Sequence, residues 1–176
     1  MYEYVLKIIV LGPGGVGKSS IIRRFVKNEF SFDYKFTIGV EINSKLVEFE
    51  KGSFALLTIW DIGGQKRFKI LRRLFYEGTY GALVVFDLSR PQTFSKMREW
   101  ISDLNMIIEE KVPIVILGNK SDLIHKIGES LNQNEINDFV EKLDSIYFET
   151  SAKTGENVQD AFAQLAKIIV KEVFAE

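Results

Sequence analysis

"GPGGVGKSS", residues 12–20, satisfies two phosphate-binding patterns at once. Gly12, Gly14 and Gly17 spell G-x-G-x-x-G, the dinucleotide fingerprint, whereas Gly12, Gly17, Lys18 and Ser19 spell G-x-x-x-x-G-K-S, the P-loop. The dinucleotide reading needs an acidic residue about 20 positions on, closing the second strand so that it can hold a ribose. Glu41, the nearest candidate, opens a strand instead. A P-loop needs an ammonium that reaches the β and γ phosphates and a hydroxyl that ligates Mg²⁺, directly after the last glycine. Lys18 and Ser19 supply both. The stretch therefore reads as a P-loop, in which the backbone N–H groups of Gly14, Gly15, Val16, Gly17, Lys18, Ser19 and Ser20 turn inward around phosphates at a helix N-terminus.

Outward from this loop, apolar runs alternate with amphipathic stretches, the rhythm of an α/β fold with a mainly parallel sheet. Strands are expected over 5–12, 54–61, 81–89, 113–120 and 146–152. A further strand over 41–49 pairs antiparallel with its successor across the turn at "EKGS". Helices are expected over 18–28, 68–76, 93–110, 133–143 and 158–173. The expectation is thus a six-stranded, mostly parallel sheet with one antiparallel edge strand and about five helices on both faces. "SDLIHKIGES", residues 121–130, reads as a polar connecting stretch, with the lone His125 as a surface-loop residue.

Ligands of open α/β sheets collect beyond the carboxyl ends of the strands. Four unusual loops fall there together: 12–19, "DIGGQ" at 61–65, "NKSD" at 119–122 and "TSAK" at 150–153. Asp61 stands where a carboxylate reaches the metal shell that Ser19 also serves, and Gly64 lets a backbone N–H approach a γ-phosphate. The amide of Gln65 can hold a water with one end while the other faces the phosphate. Asp122 can accept two hydrogen bonds from the N1–H and N2-amine of guanine. Adenine offers no amine there, and leaving such a carboxylate unpaired costs roughly 1–3 kcal/mol or more. Asn119 would brace the neighbouring loops and the base edge, while the stem of Lys120 covers a ring face. Ala152 offers its N–H to guanine O6, with Ser151 and Lys153 beside it in the nucleotide site.

The 176 residues suit one domain spanning 1–176. The absence of cysteine excludes disulfides, thiolate metal sites and thiol catalysis, and with them prenylation or palmitoylation of this chain. A net charge of −1 with scattered Lys and Arg gives no footprint for a nucleic-acid partner. The N-terminal apolar run is too short to span a bilayer. A cytoplasmic monomer without a lipid anchor in this chain is expected, peripheral to membranes if a tail is missing beyond residue 176.

In order, "GPGGVGKSS", "FTIGVEI", "WDIGGQKRF", "GNKSD" and "ETSAK" resemble the Ras superfamily of small GTPases over essentially the whole chain. The likeness is strongest to the Rab branch, although "GGQ" is similar to the Arf branch. The resemblance implies a small G domain. It implies that the Thr37 hydroxyl joins the Mg²⁺ shell while its backbone touches the γ-phosphate, that Phe30 packs against the guanine and that Tyr34 covers the phosphates. It also implies that a side chain at Gly14 would crowd Gln65 and any incoming arginine. Ile62, Gly63 and Lys66 depart from the usual Rab string D-T-A-G-Q-E. Ile42, Trp60 and Phe75 stand where Rab partners often read an aromatic trio, so the first member is aliphatic here. The tail "KEVFAE" has no cysteine, unlike lipid-anchored Rabs.

The implied function is a switch that binds GTP or GDP with Mg²⁺ and hydrolyses GTP. Gln65 positions water, Lys18 stabilises charge, and Ser19, Thr37 and Asp61 serve the metal. Effector, exchange-factor and GTPase-activating proteins would read switch I (31–41) and switch II (61–76). Ile38, Val40, Ile42, Phe68, Leu71 and Leu74 are the apolar candidates for that surface. Arg23, Arg24, Arg67, Arg72 and Arg73 read as surface or partner contacts, so no arginine finger is expected in cis. A P-loop kinase or ATPase would need an arginine-rich lid and would leave Asn119, Lys120 and Asp122 without a task. A non-hydrolysing GTP/GDP-binding scaffold module would leave Gln65 idle.

Overall fold

Alternation along the first strand decides the layering. In β1 (Tyr4–Leu11), Leu6, Ile8 and Val10 pack into the core on one face of the sheet, and Ile9 and Leu11 into the core on the other. That period of two, with both faces apolar, is the signature of a strand covered on both sides. The computed structural model describes residues 3–33, 35–63, 70–127 and 131–174. After β1 come α1 (Lys18–Lys27), β2 (Val40–Glu50), β3 (Ser53–Ile62), α2 (Arg72–Tyr76), β4 (Gly81–Asp87) and α3 (Pro91–Ile107). The remainder is β5 (Ile114–Asn119), α4 (Ser121–Ile127), α5 (Gln133–Lys142), β6 (Ile146–Thr150) and α6 (Val158–Ile169), prolonged by a π-helical turn, Val170–Phe174.

The six strands form one sheet in the order β2-β3-β1-β4-β5-β6. Only the β2–β3 pairing is antiparallel, and it places β2 at the edge. The expected architecture is therefore present. All seven residues of β4 are buried, as a central strand requires. On one face, α1 and α6 cover the sheet through Ile21, Phe25, Phe162, Leu165 and Ile169, with the rings of Phe25 and Phe162 stacked at 3.8 Å. On the other, α3 inserts Phe94, Met97, Trp100, Ile101 and Leu104, joined by Tyr76 and Ile136.

Two expectations need correction. The stretch read as a polar connector from residue 121 is helical over Ser121–Ile127, so His125 lies on a helix rather than in a loop. Its apolar positions are too few for a helical stripe to emerge from the sequence. α3 begins at Pro91, two residues early, because proline suits the first helical position, where no N–H bond is lost. The onset expected at residue 68 for α2 lies outside the described residues. No helix among those described is long and apolar enough to cross a membrane.

Candidate nucleotide site

Because β1, β3, β5 and β6 run parallel, the loops that follow them share one edge. The P-loop closes tightly. Gly17 sits at φ +101°, and a Cβ added there would stand 2.3 Å from the Asn119 Nδ2. A Cβ on Gly12 would meet the Val85 carbonyl oxygen at 2.2 Å. Both glycines are thus demanded by close approach and by backbone conformation, Gly12 lying at φ +143°. Gly14 has open space around it among the described atoms, so the crowding expected against Gln65 falls outside the described residues, as Gln65 does. Tyr34 and Gly64 also lie outside them.

Lys18 opens α1 and is 6% exposed, with its Nζ donating to the carbonyls of Gly12 (2.8 Å) and Pro13 (2.9 Å). Burial pushes its ammonium down to about 8, against the attraction of Asp61 and with a further lowering by Arg72. The group therefore lies folded over the loop whose N–H groups it would join on a phosphate.

Ser19, Thr37 and Asp61, from three separate segments, converge. The Ser19 and Thr37 hydroxyls lie 2.9 Å apart, and both bond the same Asp61 Oδ2, Thr37 at 3.3 Å. Asp61 is 1% exposed, and its second oxygen, Oδ1, is buried with no partner among the described residues. Burial raises its pKa, opposed by the Ser19 hydroxyl and Lys18. One carboxylate with two hydroxyls and an unmet oxygen suits a hard cation that completes its shell with water and phosphate. The donor set fits Mg²⁺. Gly63 explains part of this convergence. A Cβ on it would stand 2.7 Å from the Thr37 carbonyl oxygen, and its N–H donates to the Gly39 carbonyl at 2.9 Å.

At the other end, Asn119 is almost wholly buried. Its Nδ2 donates to the Val16 carbonyl at 2.9 Å, while its Oδ1 accepts from the Thr150 hydroxyl and the Ala152 N–H, both at 3.3 Å. It joins the P-loop to the loop after β6, the bracing role read from the sequence. Asp122 accepts from the Ser151 hydroxyl at 2.7 Å, which orients the carboxylate. Lys120 holds φ +68°. The other described non-glycine residues with positive φ are Asn28, Asp144 and Asn157, types that tolerate it, so the strain at Lys120 marks a constrained position. Phe30 is half-buried at the core margin, its ring edge-on to Phe32 at 5.0 Å.

Two arginines differ from their reading as surface contacts. Arg24 donates from Nε to the Ala152 carbonyl (2.8 Å) and from Nη2 to the Lys153 carbonyl (2.7 Å), clamping that loop onto α1. Arg72 is 5% exposed, pairs with Asp103 and lies 3.7 Å from the centroid of the Trp100 ring. A hollow of about 480 Å³ opens at the opposite edge of the sheet, among Ile108, Val112, Pro113, Leu143, Ile146 and Ile168. None of the loops above reaches it.

A six-stranded doubly wound sheet with a P-loop after β1 and these companion loops on one edge is the domain of a P-loop NTPase. The sequence pattern of the Ras family matches residues 7–171. The chain is 36% identical to the Ras-related protein Rab-4A of Homo sapiens over 172 residues, 98% of this chain and 78% of the relative. It is 38% identical to the Ras-related protein RGP2 of Oryza sativa subsp. japonica over 173 residues, 98% of this chain and 76% of that one. The chain belongs to the Ras family, in its Rab-like part. It is a GTP-binding molecular switch of trafficking or signalling and a GTP hydrolase.

Proposed function

We propose that the site works through the residues the sequence singled out, with the convergence of Ser19 and Thr37 on the Asp61 carboxylate, whose other oxygen is buried without a partner among the described residues, as the observation that carries the reading. These three side chains would hold Mg²⁺, and the ion would supply Lewis-acid stabilisation of phosphate charge. The P-loop N–H groups from Gly14 to Ser20 cradle the phosphates. Lys18 exchanges two neutral carbonyl partners for charged phosphate oxygens, bonds roughly twice as strong. Asp122 selects guanine, Asn119 and Ala152 set the base edge, and Phe30, Lys120, Ser151 and Lys153 enclose the nucleoside. Tyr34 and Gly64 contribute from the phosphate side.

In hydrolysis, water held by Gln65 attacks the γ-phosphorus, and the bond to the β,γ-bridging oxygen breaks. Lys18 and the cradle stabilise the charge that moves onto that oxygen. Sites of this kind are slow alone, on the order of 10⁻⁴ s⁻¹ in Ras, and an arginine from an activating protein completes them. Residues 31–41 and 61–76 take one arrangement with a γ-phosphate and another without it, and partners read the difference. Ile38, Ile42 and Leu74, all more than half exposed, offer apolar contact in and beside these segments.

The test is single-turnover hydrolysis of bound GTP with Mg²⁺ in the wild type and in Gln65→Leu. Slow turnover that the substitution abolishes is the expected result. Equal rates in the two proteins would remove Gln65 from the mechanism.

A further inference from the structure

We propose that Arg90 is a positioning residue of the nucleotide site, a second cationic tether that fixes the Gly15 carbonyl of the P-loop in concert with Lys120. The proposal rests on the site reading above. Arg90 donates from Nη2 to the Gly15 carbonyl and from Nε to Asp87 Oδ2, each at 2.8 Å. Lys120 donates to the same two acceptors, to the carbonyl at 3.1 Å and to the carboxylate oxygen at 2.6 Å. The four groups close a ring. It links the phosphate loop, the turn between β4 and α3, and the base loop after β5, segments that are far apart in the chain.

The base of this ring is rigid. Asp87 is fully buried, and its Oδ1 accepts from the Ser89 N–H (2.9 Å) and hydroxyl (2.6 Å). The Thr93 hydroxyl bonds the Arg90 carbonyl at 2.7 Å and accepts from the Asp87 N–H at 2.9 Å, and Pro91 starts α3 directly behind. Arg90 can therefore hold one direction. Its planar fork spans a carboxylate and a carbonyl at once, which a single ammonium on a flexible stem does less well. An oriented Gly15 carbonyl orients the peptide groups of the loop, so the N–H cradle is set before the phosphate arrives and less order has to be gained on binding.

The consequence is a slow nucleotide off-rate. Dissociation of a fluorescent GDP is compared in wild type, Arg90→Ala, Arg90→Lys and, as a control on the site itself, Asp122→Ala. Arg90→Ala should release GDP about tenfold faster, the size of one charge-assisted bond discounted for the 39% exposure of the side chain. Arg90→Lys should fall between. Lys120→Ala combined with Arg90→Ala should give a non-additive increase, because the two cations share both acceptors. If Asp122→Ala speeds release while Arg90→Ala does not, the tether is wrong and the site stands. If neither does, the site reading fails and takes the tether with it. Should Arg90→Lys be no better than Arg90→Ala, with both lowering the melting temperature of the nucleotide-free protein, Arg90 is only a structural residue and the proposal is overturned.

Discussion

The base end and the switch end of this site are built differently. Around 119–122 and 150–153 the side chains of Asn119, Lys120, Asp122 and Ser151 each already have an internal polar partner. Asn119 holds the P-loop, Lys120 the Asp87 carboxylate, Ser151 the Asp122 carboxylate, and Arg24 the carbonyls of Ala152 and Lys153. Among the described residues, the switch end is joined by the Ser19, Thr37 and Asp61 contacts, by the end of the β2–β3 ladder and by a backbone bond between Gly63 and Gly39. It leaves Phe32, Ile38, Ile70 and Leu74 more than 60% exposed. Selecting a base calls for groups fixed beforehand, since an unpaired carboxylate rejects the wrong one. Reporting a γ-phosphate calls for segments whose few bonds let the ligand decide their arrangement.

Breaking the base end should have the largest effect. Asp122→Ala would remove the two proposed bonds to guanine, about 1.5–3 kcal/mol each, so the preference for GTP over ATP should fall by on the order of a thousandfold in competition binding. Gly17→Ala forces a Cβ against Asn119 at a φ of +101° and separates phosphate loop from base loop. A loss of about 100-fold in GDP affinity by calorimetry is expected. At the switch end, Thr37→Ala should leave GDP affinity nearly intact and weaken the Mg²⁺ dependence of GTP binding by about tenfold, read by titrating Mg²⁺.

The smallest effect belongs to Asp87. Burial pushes its carboxyl up, but the hydrogen bonds from Lys120, Ser89 and Arg90 outweigh this and hold it below the ordinary value of 3.8. A depressed folded pKa gives stability that is full above the unfolded value and lost as pH falls through the folded one. The melting temperature of wild type should therefore drop more steeply than that of Asp87→Asn as pH is lowered below about 3.8. Parallel slopes would show that the network does not depend on that charge.

What could be read from the sequence follows range of interaction. The sheet and its four loops were legible because period-two runs and Gly, Asp and Asn-Lys strings are local signals. Asp61 and Asn119 could be placed at strand ends on those grounds alone. Contacts made by long side chains across the fold were not legible. Arg24 reaches a residue 128 positions away, Arg72 one 31 away and Arg90 one 75 away, and nothing beside them in the chain announces the partner. α4 was missed for a related reason. Its first turn carries Ser121 and Asp122 of the "NKSD" string, polar residues that hide the helical pattern.

Hydrogen exchange in the GDP-bound protein against a non-hydrolysable GTP analogue, both with Mg²⁺, tests the central contrast most directly. Protection should increase over 31–41 and 61–76, while 115–123 and 146–153 stay alike in the two states. A change spread evenly over both ends, or confined to the base loops, would contradict the division between a fixed reader of guanine and a nucleotide-set switch.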